Sequence, residues 1–152
     1  CGMHTMDIMR MESGFLHWGY DISSEENQYE AGLNFAISYK KNVKFIGRDN
    51  LLRIKHKKLK KRFVMLCLKN SNPGEPLILH DEPIYLDDKI IGVTTSSNFS
   101  FNYNKNLSFG YIKSDLSNEE LLKKKLYIEI EKNKYSAEIL LKPLKQTDFK
   151  NL

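Results

Sequence analysis

From residue 62 onward the sequence is a series of short apolar or alternating runs, separated by stretches rich in turn-forming residues. The six runs are RFVMLCL, PIYL, IIGVTTS, LSFGYI, LYIEIE and YSAEILL. Short runs with many β-branched and aromatic residues are typical of β-strands. Turn-formers stand at residues 70–75 (NSNPGE), at Asp87-Asp88 and at Lys132-Asn133. Six strands in roughly 80 residues predict a small antiparallel barrel or sandwich.

The last two runs have apolar residues at alternate positions, so each predicted strand has one face for the core. These positions are Leu126, Ile128 and Ile130 in one strand and Tyr135, Ala137, Ile139 and Leu141 in the other. With a turn at Lys132-Asn133, we expect the two apolar sets to share one buried face. The preceding segment LSNEELLKK, residues 116–124, predicts a short helical turn between strands.

The N-terminal part of the sequence has a different pattern. Methionine and isoleucine side chains within residues 3–11 have the spacing of a buried helix, which we expect to end near Gly14. The segment HWGYDISSEENQ, residues 17–28, predicts a loop. LNFAISY, residues 33–39, alternates as a half-buried strand does. A second helix is predicted around residue 51, with lysines near its C-terminal end, where the helix dipole favours cations.

These patterns predict an α+β protein with a domain boundary near residues 58–62. We expect residues 1–60 to be the incomplete end of one domain and residues 61–152 to be a second domain. A chain of 152 residues is short for two complete domains. The first residue is Cys1 rather than methionine, and we expect the sequence to come from inside a longer protein.

Composition excludes several classes of protein. No apolar run approaches the roughly 18 residues that cross a bilayer, so we expect no membrane partner. Only Cys1 and Cys67 are present, which argues against a disulfide framework and favours a cytoplasmic location.

The net charge of +5 comes from one block of the sequence. Residues 53–62, RIKHKKLKKR, hold seven of the 24 basic residues and no acidic one. Lysine outnumbers arginine twenty to four, which argues against the bidentate phosphate and guanine contacts that arginine makes. We interpret the block as a solvated helix end and linker, so nucleic acid is not the expected partner; a patch for a polyanion is the alternative.

The residues alone do not identify an enzyme. The four histidines and two cysteines lack the spacing of metal ligands, and no glycine-rich phosphate loop occurs. TTSSNFS, residues 94–100, lacks the glycines of a nucleophile elbow. On this basis Glu12 is a surface carboxylate at a helix end, and Trp18 is a core or interface aromatic.

Six segments carry a more specific signal: MDIMRMESGFLHWGYDIS, YEAGLNFAI, KFIGRDNLL, KRFVML, EPIYLDDKIIGVTTSS and LSFGYI. In this order and spacing they resemble the folate-binding T-protein, or aminomethyltransferase, family of the glycine cleavage system. They are most like the variant fused behind a flavin domain in dimethylglycine and sarcosine dehydrogenases, a form that His17-Trp18 favours. The resemblance implies a partial folate-binding α/β segment followed by a small antiparallel β-barrel.

The resemblance also implies a tetrahydrofolate site. The carboxylate of the family's Arg-x-Glu motif, Glu12 here, would accept paired hydrogen bonds from the pterin ring and its amine. Trp18 takes the place of an aromatic near the pocket, and Lys40 or Lys41 aligns with a basic residue that meets the anionic folate tail. The family's glycine after the IGVT strand is Ser97 here, which predicts strain or a reshaped loop if that glycine has a positive φ.

The parent enzyme implied by the resemblance passes the one-carbon unit of an N-methyl amino acid, dimethylglycine or sarcosine, to tetrahydrofolate. The family's catalytic aspartate and its FAD site lie upstream of the quoted segments, so we expect no catalytic residue in this chain and no activity from it alone. The expected partners are folate, the N-methyl amino acid and the remainder of the parent chain, and a homo-oligomer is compatible with the family. Two alternatives stay open: an aminomethyltransferase acting with a lipoyl carrier protein, and a non-catalytic folate- or RNA-binding module.

Overall fold

The computed structural model describes residues 1–41, 43–113 and 115–144. The chain begins with helix α1 (Met3–Glu12), a short 3-10 helix (Asn34–Ala36) and helix α2 (Arg48–Ile54). The elements that follow are, in chain order, β1 (Arg62–Leu68), β2 (Pro83–Leu86), β3 (Lys89–Ser100), β4 (Lys105–Ile112), α3 (Asn118–Leu122), β5 (Leu126–Ile130) and β6 (Asn133–Leu140).

The six strands of the described residues form a closed barrel in the order β1, β4, β3, β2, β5, β6, with β6 pairing back to β1. All neighbouring strands are antiparallel. Closure gives every strand a hydrogen-bonded neighbour on both sides. The predicted antiparallel barrel is confirmed, as are the helices near the N-terminus and around residue 51. The burial expected for the first helix is wrong for Met3, Met6 and Met9, whose side chains are exposed.

Aliphatic side chains from alternate strand positions fill the barrel. The predicted hairpin places five of its residues in this core: Leu126, Ile128, Ile130, Ala137 and Ile139. Tyr135 packs against the same cluster. The prediction is wrong for Leu141, whose side chain is exposed, because β6 ends at Leu140 where its pairing with β1 stops.

Strands β3 and β4 approach closely because glycines stand at their contact. A Cβ atom on Gly92 would lie 1.9 Å from the carbonyl oxygen of Tyr111, and one on Gly110 would lie 2.5 Å from the carbonyl oxygen of Val93. Both distances are far below van der Waals contact, so the barrel needs residues without a side chain at these two positions.

Helix α1 lies on the outer face of the barrel. Its Ile8 and Met11 pack with Cys67, Leu107 and Phe109 in a second buried cluster. The helix ends at Glu12, and Gly14 follows with φ +75°, a left-handed conformation that glycine adopts at no steric cost. This packing brings the end of α1 against the end of β3.

The strand predicted at residues 33–39 is wrong. Its backbone makes local hydrogen bonds: Ala36 N–H donates to Leu33 O, and Ile37 N–H donates to Asn34 O, which produces the 3-10 helix. The apolar alternation does not correspond to a buried face either, since the Phe35 side chain is 82% exposed. A period of two predicts a strand only where a neighbouring strand is available, and none pairs with this segment among the described residues.

Candidate functional site

Glu12, the last residue of α1, is buried against the barrel, and only 3% of it is exposed. Ser100 Oγ donates a hydrogen bond of 2.5 Å to Oε1 of Glu12. The amide nitrogen Nδ2 of Asn102 lies 3.2 Å from Oε1 and 3.0 Å from Oε2. The interpretation of Glu12 as a surface carboxylate is therefore wrong, because the last turn of α1 packs against the turn that follows β3.

A cavity of about 440 Å³ adjoins Glu12. It lies between α1 and the end of β3 with its following turn. Its other lining residues include His4, Ile8, Phe99, Phe101, Asn102 and Tyr103. A carboxylate accepts hydrogen bonds without donating any, and aromatic rings offer flat contact surfaces. Together they suit a planar ligand that carries N–H donors.

Glu12 retains capacity to accept another hydrogen bond. A carboxylate offers about four lone-pair directions. Ser100 and Asn102 make three contacts with it, two at Oε1 and one at Oε2. The bonds to the barrel therefore fix the orientation of the carboxylate and leave an acceptor direction at Oε2.

Arg10, the arginine of the same Arg-x-Glu motif, has a different role. Its Nη1 donates to Asp21 Oδ2 at 2.7 Å, and its Nη2 donates to Ser96 Oγ at 2.9 Å. Asp21 also accepts hydrogen bonds from the His17 backbone N–H at 2.9 Å and from Thr95 Oγ1 at 2.6 Å. Arg10 therefore ties the loop after α1 to the barrel, while Glu12 faces the cavity.

Sequence reasoning missed the residues that hold this site together. Arg10 and Asp21 were visible only as parts of a motif, because charge alone does not distinguish a buried ion pair from an exposed one. Ser100 and Asn102 lie about 90 residues from Glu12 along the chain, and only the closed barrel brings them to it. The hydroxyl-rich strand 94–100 was the available signal, since buried hydroxyls need partners.

Trp18 and the two lysines lie away from Glu12. Trp18 is 68% exposed and lines a separate apolar groove of about 960 Å³ beside Phe15 and Phe35. Lys40 and Lys41 are exposed, and neither lines the cavity at Glu12 or the groove at Trp18. The described residues do not bring the four expected site residues into one pocket.

Ser97 is accommodated without strain. It lies within β3, and its φ is not positive. Its hydroxyl contacts Ser108 Oγ at 2.8 Å and donates to Leu79 O at 3.2 Å. The expected strain or reshaped loop is absent, because an extended backbone accepts serine as readily as glycine.

Neither a metal cluster nor an activated thiol finds support in the part of the chain that the structure describes. It contains no group of three or more potential metal ligands among His, Cys, Asp and Glu. Burial raises the pKa of the Cys67 thiol, which disfavours the nucleophilic thiolate. Among the described residues no helix is long and apolar enough to cross a membrane.

Comparison with known proteins gives the same family from both parts of the chain. Residues 61–145 match the glycine cleavage T-protein C-terminal barrel domain, and residues 1–41 match the GCVT N-terminal domain. The chain is 32% identical to the mitochondrial dimethylglycine dehydrogenase of Homo sapiens over 97% of its length and 16% of that protein. It is 29% identical to the aminomethyltransferase of Synechococcus elongatus over 94% of its length and 37% of that protein.

A solved structure shows the same fold. The aminomethyltransferase T of the Bartonella henselae glycine cleavage system superposes with a TM-score of 0.75 at 20% identity, covering 91% of this chain and 37% of that one. The chain thus spans between 16% and 37% of the length of these relatives. From the match across the whole barrel, the chain belongs to the glycine cleavage T-protein family.

Proposed function

We propose that this chain is the C-terminal part of a tetrahydrofolate-dependent one-carbon transfer enzyme, of the kind fused to a flavin domain in dimethylglycine and sarcosine dehydrogenases. Its role is to help bind and orient folate. The observation that carries the proposal is Glu12, a buried carboxylate held by two barrel residues at the wall of a cavity.

The chemistry of Glu12 fits a pterin. A pterin presents a ring N–H and an exocyclic amine side by side, and a carboxylate can accept both as a charge-assisted pair. Ser100 and Asn102 hold the carboxylate before the ligand arrives, which reduces the entropy lost on binding. The aromatic side chains of Phe99, Phe101 and Tyr103 supply flat surfaces around a ring bound there.

The other site residues have supporting roles in the proposal. Lys40 and Lys41 are exposed cations, suited to the carboxylates of a folate tail that extends toward solvent. Trp18 is proposed to contact the ligand or the remainder of the parent protein across the apolar groove that it lines.

In the proposed parent, the one-carbon unit of an oxidised N-methyl amino acid passes to folate, giving 5,10-methylene-tetrahydrofolate and the demethylated amine. Bound tetrahydrofolate supplies the accepting nitrogens. This chain positions the pterin, and the acid–base group and FAD belong to the upstream part of the parent.

The decisive experiment compares folate affinity of the full-length parent with that of its Glu12→Gln variant by calorimetry. Glutamine keeps the size but loses the charge and turns an N–H₂ toward a pterin donor. Loss of the paired hydrogen bonds between the pterin and the carboxylate should cost about 2–4 kcal/mol, or roughly 30- to 1000-fold in affinity. Glu25→Gln, which removes an exposed carboxylate of the 17–28 loop, is the matched control.

A structural role for Glu12 gives a different result. Glu12→Gln would then lower the melting temperature through its weakened bonds to Ser100 and Asn102, while folate affinity would stay within about threefold of wild type. That outcome would reject Glu12 as a folate ligand. Absence of flavin absorbance from the purified parent would instead favour the aminomethyltransferase alternative and leave the role of Glu12 intact.

A further inference from the structure

A second cavity, of about 710 Å³, is lined by Asp21, and among the described residues it shares no lining residue with the cavity at Glu12. One wall is the loop from Gly19 to Glu26, and the other is the first half of β3 with the end of β4. Its floor is apolar and includes Ile22, Ile90 and Val93, whereas the Ile91 side chain packs in the barrel core. The volume is in the range of small-molecule pockets.

Lysines surround the outer end of this cavity. Lys89 and Lys113 line it and also line an adjoining depression of about 480 Å³, whose far side is formed by Lys58 and Lys60. The depression and the cavity are therefore continuous across Lys89 and Lys113. These four lysines form a cationic rim. Two of them, Lys58 and Lys60, belong to the basic block at residues 53–62, which the proposed folate site does not use.

The charges of the rim are only partly compensated. Lys58 pairs with Asp115 at 2.7 Å, but both side chains are more than 70% exposed, so solvent screens the pair. Lys60, Lys89 and Lys113 have no ion-pair partner among the described residues. Three ammonium groups beside an apolar floor leave a positive potential at the entrance of the cavity.

The inner end of the cavity is neutral by comparison. Glu26 is paired with Lys61, and Asp21 is paired with Arg10. The charged groups there are thus already matched. A ligand can use the apolar floor, the cationic rim and the Tyr111 hydroxyl, which is buried without a hydrogen-bond partner among the described residues.

We propose that this cavity binds a small molecule that combines an apolar body with a carboxylate or phosphate group. The body lies on the floor formed by Ile90 and Val93, and the anionic group meets Lys89 and Lys113 at the rim. A concave apolar floor favours such a molecule over an extended polyanion, which would use the exposed lysines without entering the cavity. The site is separate from the folate site and does not depend on it.

The test uses three probes of one shape on the 152-residue chain: 2-naphthoate, 2-naphthyl phosphate and the neutral 2-naphthamide. Binding is followed by amide chemical shifts, with Gly92 and Lys113 as reporters from the cavity. We expect at least one anionic probe to shift these backbone amide signals and to bind several-fold more tightly than 2-naphthamide. Comparison of the two anions distinguishes a carboxylate ligand from a phosphate ligand.

Variants localise the binding. Lys89→Gln with Lys113→Gln should weaken binding of the anionic probe about fivefold, since each exposed charge contributes modestly. The matched control is Lys124→Gln with Lys132→Gln, two exposed lysines that line neither this cavity nor the adjoining depression. Val93→Asp, which puts a carboxylate on the half-exposed floor, should weaken binding by more than tenfold while leaving the barrel folded.

Three results would overturn the proposal. The amide probe could bind as tightly as the anions, the double variant at Lys89 and Lys113 could bind as wild type does, or the shifted amides could lie elsewhere. Steeply salt-dependent binding of a single-stranded oligonucleotide, with no binding of either naphthyl anion, would also reject it and assign the lysines to a polyanion surface.

Discussion

Arg10 Nη1 lies 2.7 Å from Asp21 Oδ2, and this ion pair connects helix α1 to the loop that follows it. The Asp21 side chain is fully buried, and that of Arg10 is 13% exposed. Hydrogen bonds to Thr95 and Ser96 extend the connection into β3. One buried network therefore fixes the positions of α1, the loop and the barrel relative to one another.

We predict that Asp21→Ala strongly destabilises the chain. Removing one partner of a buried pair leaves the other charge uncompensated, at a cost of about 3–5 kcal/mol. Asp88→Ala is the matched control, because Asp88 is fully exposed where it meets Lys134 at 3.4 Å, and we expect little change. Urea denaturation of both variants checks this. Equal midpoints for the two would show that the network contributes no more than a surface pair.

The contact between β3 and β4 gives a second prediction. Gly92→Ala places a Cβ where the carbonyl oxygen of Tyr111 lies, and backbone on both strands must shift. We expect a loss of about 1–3 kcal/mol or more in the free energy of unfolding. Gly2→Ala is the control, since its added Cβ meets no atom of the described residues within 4 Å apart from its chain neighbours. A wild-type midpoint for Gly92→Ala would mean that the strands separate at little cost.

The strands of the barrel were predictable because their signals are local. In the hairpin of β5 and β6, alternation favours the observed faces. The turn was predicted one residue too late: Ile130 pairs with Asn133, so the two-residue turn is Glu131-Lys132, both with positive φ, and not Lys132-Asn133. The order of strands around the barrel was not predictable in this way. Pairing of β1 with both β4 and β6 joins residues far apart in the sequence, and no local pattern encodes which strands meet.

The candidate site likewise depends on a local signal and on contacts between distant parts of the sequence. Glu12 could be proposed from a motif within the first helix, yet its burial follows from Ser100 and Asn102, which only the folded barrel supplies. The failure at residues 33–39 has the opposite cause. There the local alternation was real, but Gly32 at φ +72° and local hydrogen bonds formed a turn, and no strand within the described ranges pairs with it.

Acid stability gives a further prediction through Glu26 and Lys61. Burial raises the pKa of Glu26, but hydrogen bonds from Lys61 and Ser23 outweigh it and lower the pKa below the usual value of 4.5. A carboxyl whose pKa is lower in the folded state stabilises that state above the unfolded pKa. This stabilisation is lost as the pH falls through the folded pKa.

We therefore expect wild type to be more stable than Glu26→Gln near neutral pH and the difference to shrink below about pH 4.5. Urea denaturation between about pH 6 and about pH 3 measures it. Glu25→Gln, on the same loop but exposed, should show no such change. A difference between wild type and Glu26→Gln that stays constant with pH would contradict the assignment.

The last prediction concerns local stability in the two parts of the chain. Backbone amides of β5 and β6 lie in a closed ladder whose side chains form the core, so they should exchange only on global or near-global opening. Among the described residues, the amides of residues 33–39 have only short local bonds, and most of the Phe35 side chain is exposed. We expect their exchange in the 152-residue chain to be at least roughly 100-fold faster than in β5 and β6.

Hydrogen exchange followed by mass spectrometry measures both regions in one sample, and the barrel serves as the internal control. Equal protection would mean that residues 33–39 are held by contacts that the local hydrogen bonds do not explain. If protection of this segment rises in the full-length parent while that of the barrel does not, the remainder of the parent chain covers the exposed Phe35.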